Sequence, residues 1–467
     1  MAQPTLLTLP NEILRLIALS GLQGEDLAAL AQTSRELRRQ VTLLGLGLRG
    51  AASTDERAQR ILQTMPRRPM NYDNPSHRRH VRSDRSWLIS RDISSAADQG
   101  NLVIGAPGMI VPPVIEINSD EVRTLTLLPN TSVSSLTVGP FVPLTTMRIQ
   151  GHVSHLDASG RNFNTITVDD DAEIGTLNLF HCTSLISAFV RGRVRSLRLS
   201  HCIQLATLVI TGEVHTLALS RCFGLATLPS LHSVRTLDLS NCDQLVDVSA
   251  AAGMHTLDLS ECGRLTDVSA LGRVRRLNLR GCRQLTDVSA LGRVHTLNLR
   301  ECTQLTDVSA LGGVRHLNLK GCRQLTDVSA LGTVRALNLS GCSQLTDVSA
   351  LGSVHTLDLS WCEKLTDVSA LGGVHTLTLS WCADVTDVSA LGGVHTLKLL
   401  RCRRVTDVSA LGAVHTLDLS LCSSLEDVSA LGGVHTLKLK MCHRVTDLSA
   451  LGDVKVLQPP FGPTEYR

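Results

Sequence analysis

Rings are nearly missing from this chain, with three Trp, two Tyr and six Phe in 467 residues. Its core must therefore be filled by Leu, Val, Ala and Cys. Charge of one sign is missing too. Lys and Arg number 45 against 42 Asp and Glu, a net +3, too near balance to point by itself to nucleic acid or an anionic membrane. No stretch approaches the roughly 18 uninterrupted apolar residues of a membrane span, so no membrane partner is expected. Met1 to Leu22 carries no basic residue ahead of its apolar part, and Glu12 and Arg15 interrupt that part. A secretory signal is thus not expected, and the chain is assigned to the cytoplasm and/or nucleus. The close cysteine pairs of zinc sites are absent as well, so neither a metal nor another cofactor is expected.

The fourteen cysteines fall at every twentieth residue from Cys182 to Cys442 and nowhere else. A cysteine that recurs once per structural unit reads as a packing position, a small buried hydrophobe. One unit holds Val274, Leu277, Leu279, Cys282, Leu285, Val288, Ala290 and Leu291, and L-T-D-V-S-A-L-G recurs almost unchanged from Leu265 to Gly412. Self-similarity at a fixed period marks a solenoid. The L-x-L pair alternates as a strand does, with both leucines on one face. Since one unit cannot bury its own apolar face, units stack into a continuous parallel sheet. Asp287 with Ser289 suits an Asx turn or the cap of a short 3-10 segment, and Gly292 is expected to need positive φ. Aligned aspartates also raise calcium, but one Asp and one Ser per coil fall short of its six or more oxygens.

A looser pattern lies upstream, at Val122/Leu125/Leu127, Val133/Leu136/Val138, Leu144/Met147/Ile149 and on to Ile174/Leu177/Leu179. Its spacing is half the later period, so these residues read as coils with a strand on both sides. At about 4.8 Å per coil, some seventeen coils would give a rod on the order of 80 Å. The expected organisation is a small N-terminal α-helical module over 1–45 and a basic linker with the start of the solenoid over 46–110. Divergent coils follow over 111–180, then twenty-residue repeats over 181–457 and a tail over 458–467. The fold class is a repeat solenoid, a parallel β-solenoid of leucine-rich-repeat type with a short 3-10 or turn convex side.

The N-terminal letters L-P-N-E-I-L-R-L-I, followed by D-L-A-A-L-A-Q-T-S-R-E-L-R-R, resemble an F-box over about 35 residues. The aromatic residue common near Arg38 in that family is absent. L-x-L-x-x-C-x-x-L-T-D is similar to the cysteine-containing repeats that follow many F-boxes. D-V-S-A-L-G instead resembles the short convex side of internalin-type repeats, and twenty residues leave no room for an outer helix. The F-box resemblance implies a substrate-recruiting subunit of a cullin-type (SCF) ubiquitin ligase. Leu9, Pro10, Ile13, Leu14 and Leu27 would then contact or support contact with a Skp-type adaptor, and the repeats would bind a protein substrate. These residues equally suit an N-terminal cap. The alternative is a leucine-rich-repeat scaffold or effector with no ligase link. An enzyme is not expected, because Ser, Asp and His recur in every coil and mark no unique site.

Arg67, Arg68, Arg78, Arg79, Arg82 and Arg85 suit a solvated linker or a localisation patch; no rings are interleaved, so nucleic acid is not expected. Where the framework is fixed, the variable positions carry information. Arg276, Arg280, Arg300 and Lys320, with Asn278, Asn298 and Asn318 alongside, and later Trp361, Trp381, Arg401, Leu421 and Met441, are expected on one partner-binding face. Unconstrained drift of exposed positions is the alternative. His295, His355, His375, His395, His415 and His435 share one column, read either as exposed strand residues or as a pH-responsive ladder.

Overall fold

The computed structural model describes residues 101–105, 111, 113–118, 120 and 122–460, with the strand Ser86–Ile89. The helical module expected over 1–45, with Leu9, Pro10, Ile13, Leu14 and Leu27, lies outside the described residues. So do the linker arginines. The chain divides into two compact units, Met1–Leu217 and Ala218–Arg467.

In the first unit, runs such as Thr-Leu-Thr-Leu and Thr-Ile-Thr-Val alternate β-branched with larger apolar residues, which suits a half-buried pleat. They form strands on both sides of each coil. One parallel sheet runs through Val114–Ile117, Ser132–Val138, His152–Asp157, Glu173–Asn178 and Arg193–Arg198. The other runs through Asn101–Ile104, Thr124–Leu127, Thr146–Ile149, Thr165–Val168, Ser187–Val190 and Thr207–Ile210. Register is strict: Leu125, Met147, Ile166, Ala188 and Leu208 stand one above another. Each points into a core that also encloses Phe163. The twenty-residue period begins at Cys182, yet the second strand persists to Ile210, beyond that change in period.

The second unit keeps one strand per coil, three residues long. Arg276–Asn278 pairs in parallel with Thr296–Asn298, and that strand with His316–Asn318. The return side is a 3-10 helix such as Ser289–Arg293. It starts where it does because the Asp287 carboxylate accepts the Ser289 N–H at 2.8 Å, the Asx turn expected from the sequence. Hydrogen bonding to Ser289 holds the Asp287 carboxyl below its ordinary value. Leu277, Leu279, Cys282, Leu285, Val288, Leu291 and Val294 all point inward, none more than 2% exposed. The thiols are part of that interior. Cys282 Sγ donates to the Leu259 carbonyl of the preceding coil at 3.2 Å, and Cys302 to Leu279 likewise.

Gly292 departs from expectation. Positive φ among the glycines of the regular repeats falls at Gly281, Gly321 and Gly341, not at Gly292. What Gly292 requires is space, because a Cβ there would lie 2.3 Å from the Ala310 carbonyl oxygen of the next coil. The repeated glycine marks a close backbone approach between return segments, not a left-handed turn.

Candidate functional site: the outer columns of the regular coils

The strand end builds a corner in every coil. In most coils Asp or Asn at the last strand position accepts the backbone N–H two residues on: Ser260 to Asp258 at 2.8 Å, Arg280 to Asn278 at 3.1 Å, Ser360 to Asp358 at 2.9 Å; Thr378, Lys398 and Lys438 stand there in three later coils. Asn278, Asn298 and Asn318 therefore serve the turn. The residue after this corner, just before the cysteine, enters the left-handed region and gives its N–H to the next coil. Trp361 donates to Ser380 O at 2.9 Å and Trp381 to Leu400 O at 2.8 Å.

Glycine suits that conformation, and three coils use it, at Gly281, Gly321 and Gly341. The five coils that follow place bulky side chains there instead: Trp361, Trp381, Arg401, Leu421 and Met441, with φ between 60° and 66°. An L-residue in this region costs roughly 1 kcal/mol or more. Part is returned by contact along the column. The indole rings of Trp361 and Trp381 stack at 4.1 Å between centroids and 13° between planes. The Arg401 guanidinium lies 3.9 Å from the centroid of the Trp381 ring, a cation–π contact. Trp361 is 45% and Met441 51% exposed, while Trp381, Arg401 and Leu421 are half-buried.

The residues expected on one face occupy three columns. Arg276 stands on the strand itself, exposed. Arg280, Arg300 and Lys320 stand two residues past the strand, in the turn. The bulky set occupies the corner after that. Arg280 lies 3.6 Å from Glu261 and 3.4 Å from Glu301, and Arg300 lies 2.9 Å from Glu301. These two arginines are already neutralised, and the Arg300 hydrogen bond, first among its causes, keeps the Glu301 carboxyl below its usual range. Lys320 is exposed and without an ion pair among the described residues.

The histidines are not strand residues. They occupy the bend just before each strand. From His355 to His435 their rings stack almost parallel at 4.5 to 4.7 Å, and each Nδ1 lies 3.1 to 3.3 Å from the following Thr Oγ1. Desolvation, then the neighbouring imidazoles, holds His415 below its ordinary value. The sequence reading took this column as histidine alone. In fact every twentieth residue from Arg235 to Lys455, twelve positions, is Arg, His or Lys. The signal was present and would have emerged from writing the chain in rows of twenty.

No nucleophile stands out from the repeat. Burial pushes the Cys262 and Cys282 thiols up to about 12, which keeps them protonated and inert. Among the described residues no cluster of three His, Cys, Asp or Glu could hold a metal ion. A surface hollow of about 260 Å³ is lined by Asp367, Ser369, Asp387 and Ser389, and the same side chains recur in every neighbouring coil.

No protein-family model matches the chain, and no curated protein matches its sequence. Solved structures do resemble it. An internalin, InlF, from Listeria monocytogenes shares 18% identity over 56% of this chain and 82% of that one, with a TM-score of 0.39. The functional domain of InlJ from the same organism, described as including a cysteine ladder, shares 21% over 58% of this chain and 66% of that one, TM-score 0.32. A TLR13–ssRNA13 complex shares 12% over 79% of each chain, TM-score 0.32. The assignment of a parallel-strand solenoid of leucine-rich-repeat type rests on the strand registers and inward columns described above.

Proposed function

We propose that this chain is a non-enzymatic binding scaffold that holds a partner protein on the corner column Trp361–Met441. The observation that carries this is the choice of side chain. Three coils fill this left-handed position with glycine and six others with polar residues, His181, His201, Arg221, Asn241, Glu261 and Glu301, whereas the last five turn to Trp, Trp, Arg, Leu and Met, four of them apolar. Strain retained at a surface position is a reason to look for a role of the side chain there. The composition, two rings with Arg and Met beside them, is that of an interface hot spot.

Replacing Trp361, Trp381 and Met441 together by Gly separates function from fold. Stability by urea titration is expected to hold or to rise by up to about 1 kcal/mol per site, since left-handed strain is relieved. Proteins recovered by affinity capture from cells with the wild-type chain should be lost. A clear drop in stability with unchanged recovery would make the column structural and end this reading.

A finer reading comes from the L-P-N-E-I-L-R-L-I segment. In it Leu9, Pro10, Ile13, Leu14 and Leu27 engage a Skp-type adaptor, and the solenoid recruits the substrate of an SCF ubiquitin ligase in the cytoplasm or nucleus. Co-purification with a Skp-type adaptor, with and without residues 1–41, tests it. Failure of the full-length chain to retain the adaptor leaves the plain scaffold.

A further inference from the structure

The column from Arg235 to Lys455 stands on the other side of the strand from the corner residues, at the bend where each strand begins. All twelve of its positions are basic. In its first half Arg235, Arg275, Arg315 and Arg335 are exposed, and Arg273, Arg276 and Arg293 stand exposed beside them. None of these seven forms an ion pair among the described residues. Four arginines elsewhere in the same unit do find acids: Arg280 and Arg300 as above, Arg404 with Asp384 at 2.8 Å, Arg444 with Glu426 at 2.9 Å. Parallel register sets neighbouring members of the column one coil apart, a spacing read directly from the histidine rings at 4.5 to 4.7 Å. Arg315 and Arg335 stand on adjacent coils, while Arg235, Arg275 and Arg315 alternate with His255 and His295; permanent charges one or two coils apart and without ion pairs form a ready field for an anion.

We propose that this basic column docks an extended acidic polypeptide segment lying along the solenoid, centred on Arg275, Arg315 and Arg335. The charge decides that the ligand is anionic, and the surroundings decide its class. The field is narrow. Asp238 and Asp258 on the strand face, with Glu261 beyond them, border its early coils, and they oppose the second phosphate backbone of a duplex. From Gly224 to Ser360 there is no Phe, Trp or Tyr, so single-stranded bases find only small imidazole rings there, among them His255, His295 and His316, and none of the larger platforms that favour them. An extended peptide needs neither a broad field nor rings, and its carboxylates match the planar donors of arginine in bidentate pairs. The permanent charge of the arginine half serves at neutral pH. The histidine half, from His355 to His435, is flanked on its own column by Arg335 and Lys455 and borders Asp358, Lys398, Asp418 and Lys438 on the strand; it adds charge only as pH falls.

The test uses the full-length chain and a labelled twelve-residue poly-glutamate peptide, read by fluorescence anisotropy at low salt. A poly-glutamine peptide and a twelve-residue oligothymidylate serve as comparison probes. Poly-glutamate is expected to bind, to weaken steeply with added salt, and to bind at least tenfold more tightly than either comparison. The Arg275→Ser, Arg315→Ser, Arg335→Ser triple variant should lose tenfold or more, while Arg404→Ser, an arginine already paired, should change less than twofold. If the triple variant does not fold by circular dichroism, Arg335→Gln alone is used, with a two- to fivefold loss expected. Equal binding by the variants, absence of poly-glutamate binding, or tighter binding of the oligothymidylate would overturn the proposal. So would light scattering that shows the wild-type chain pairing with itself through the same arginines. The glycine variants at Trp361, Trp381 and Met441 should leave poly-glutamate binding intact, so this proposal and the corner-column reading fail separately.

Discussion

The coils up to Ile210 and those after Ser249 bury similar columns of aliphatic side chains but close their return sides differently. In the first, a second strand such as Thr165–Val168 pairs with its neighbours on both sides. In the second, the return backbone bonds within its own coil: Leu291 N to Val288 O at 2.9 Å and Val294 N to Leu291 O at 3.0 Å. Coil-to-coil contact there rests on packing, on the tight glycine–carbonyl approach and, in two coils, on the Thr333 and Ser353 hydroxyls, which donate to Gly312 O and Gly332 O of the preceding coil at 2.7 Å. One side of a solenoid can thus give up its ladder if a side-chain cap and a glycine replace it. The regular coils carry the corner column and the basic column at the two ends of the remaining strand.

Four measurements would break or sharpen that contrast. The largest effect concerns the thiols of the regular coils. Burial raises Cys242 to about 11 and Cys262, Cys282, Cys322 and Cys342 to about 12, above an ordinary value of 9.0. Cys182 of the first unit is instead lowered, chiefly by its hydrogen bond with Cys202. A raised folded value means full stability below the unfolded value near pH 9 and a decline above it. Each such thiol removes up to about 1.4 kcal/mol per pH unit. Urea titrations under reducing conditions at pH 8, 9 and 10 should show the regular unit weakening first, with the Cys262→Ala, Cys282→Ala variant less sensitive.

Next comes the interior. Leu291→Ala on the 3-10 side should cost about 2–5 kcal/mol by urea titration, as Ile166→Ala should on the strand side. A Leu291 value well below the Ile166 value would show the ladderless side to be loosely packed. Gly292→Ala forces a Cβ against the Ala310 carbonyl and should cost about 1–3 kcal/mol. Gly452→Ala, in the last described coil, where a Cβ meets nothing within 4 Å among the described residues and φ is −57°, should be neutral or stabilise by about 0.4–1 kcal/mol. Asp287→Ala should cost about 1 kcal/mol in thermal midpoint analysis. A larger loss would mean that the cap holds more than one coil.

The solenoid, the inward thiols and the two-sided early coils were legible because period and alternation are local properties of the letters. The Asp287 turn was legible for the same reason. Three features were not. Gly292 looked like a turn glycine, but its constraint comes from Ala310, eighteen residues away in the next coil. The corner residues looked like strand neighbours of Leu277 and Leu279, because left-handed φ at Trp361 depends on where the strand stops. Arg280 looked free, since Glu261 and Glu301 approach it only after the coils stack; Arg300, by contrast, pairs with Glu301, its own neighbour in the chain. For Gly292 and Arg280 the missing information was vertical, from one coil to the next.

The shared register of Leu277, Leu297 and Leu317 makes each lap interchangeable with its neighbour. Removing residues 338–357 would join Leu337 to Asp358 in phase and bring the tryptophan pair one step nearer the arginines, leaving both sets otherwise unaltered. The distance between two recognition elements is then a whole number of laps. Duplication or loss of twenty residues could tune it stepwise, with no repacking of the interior.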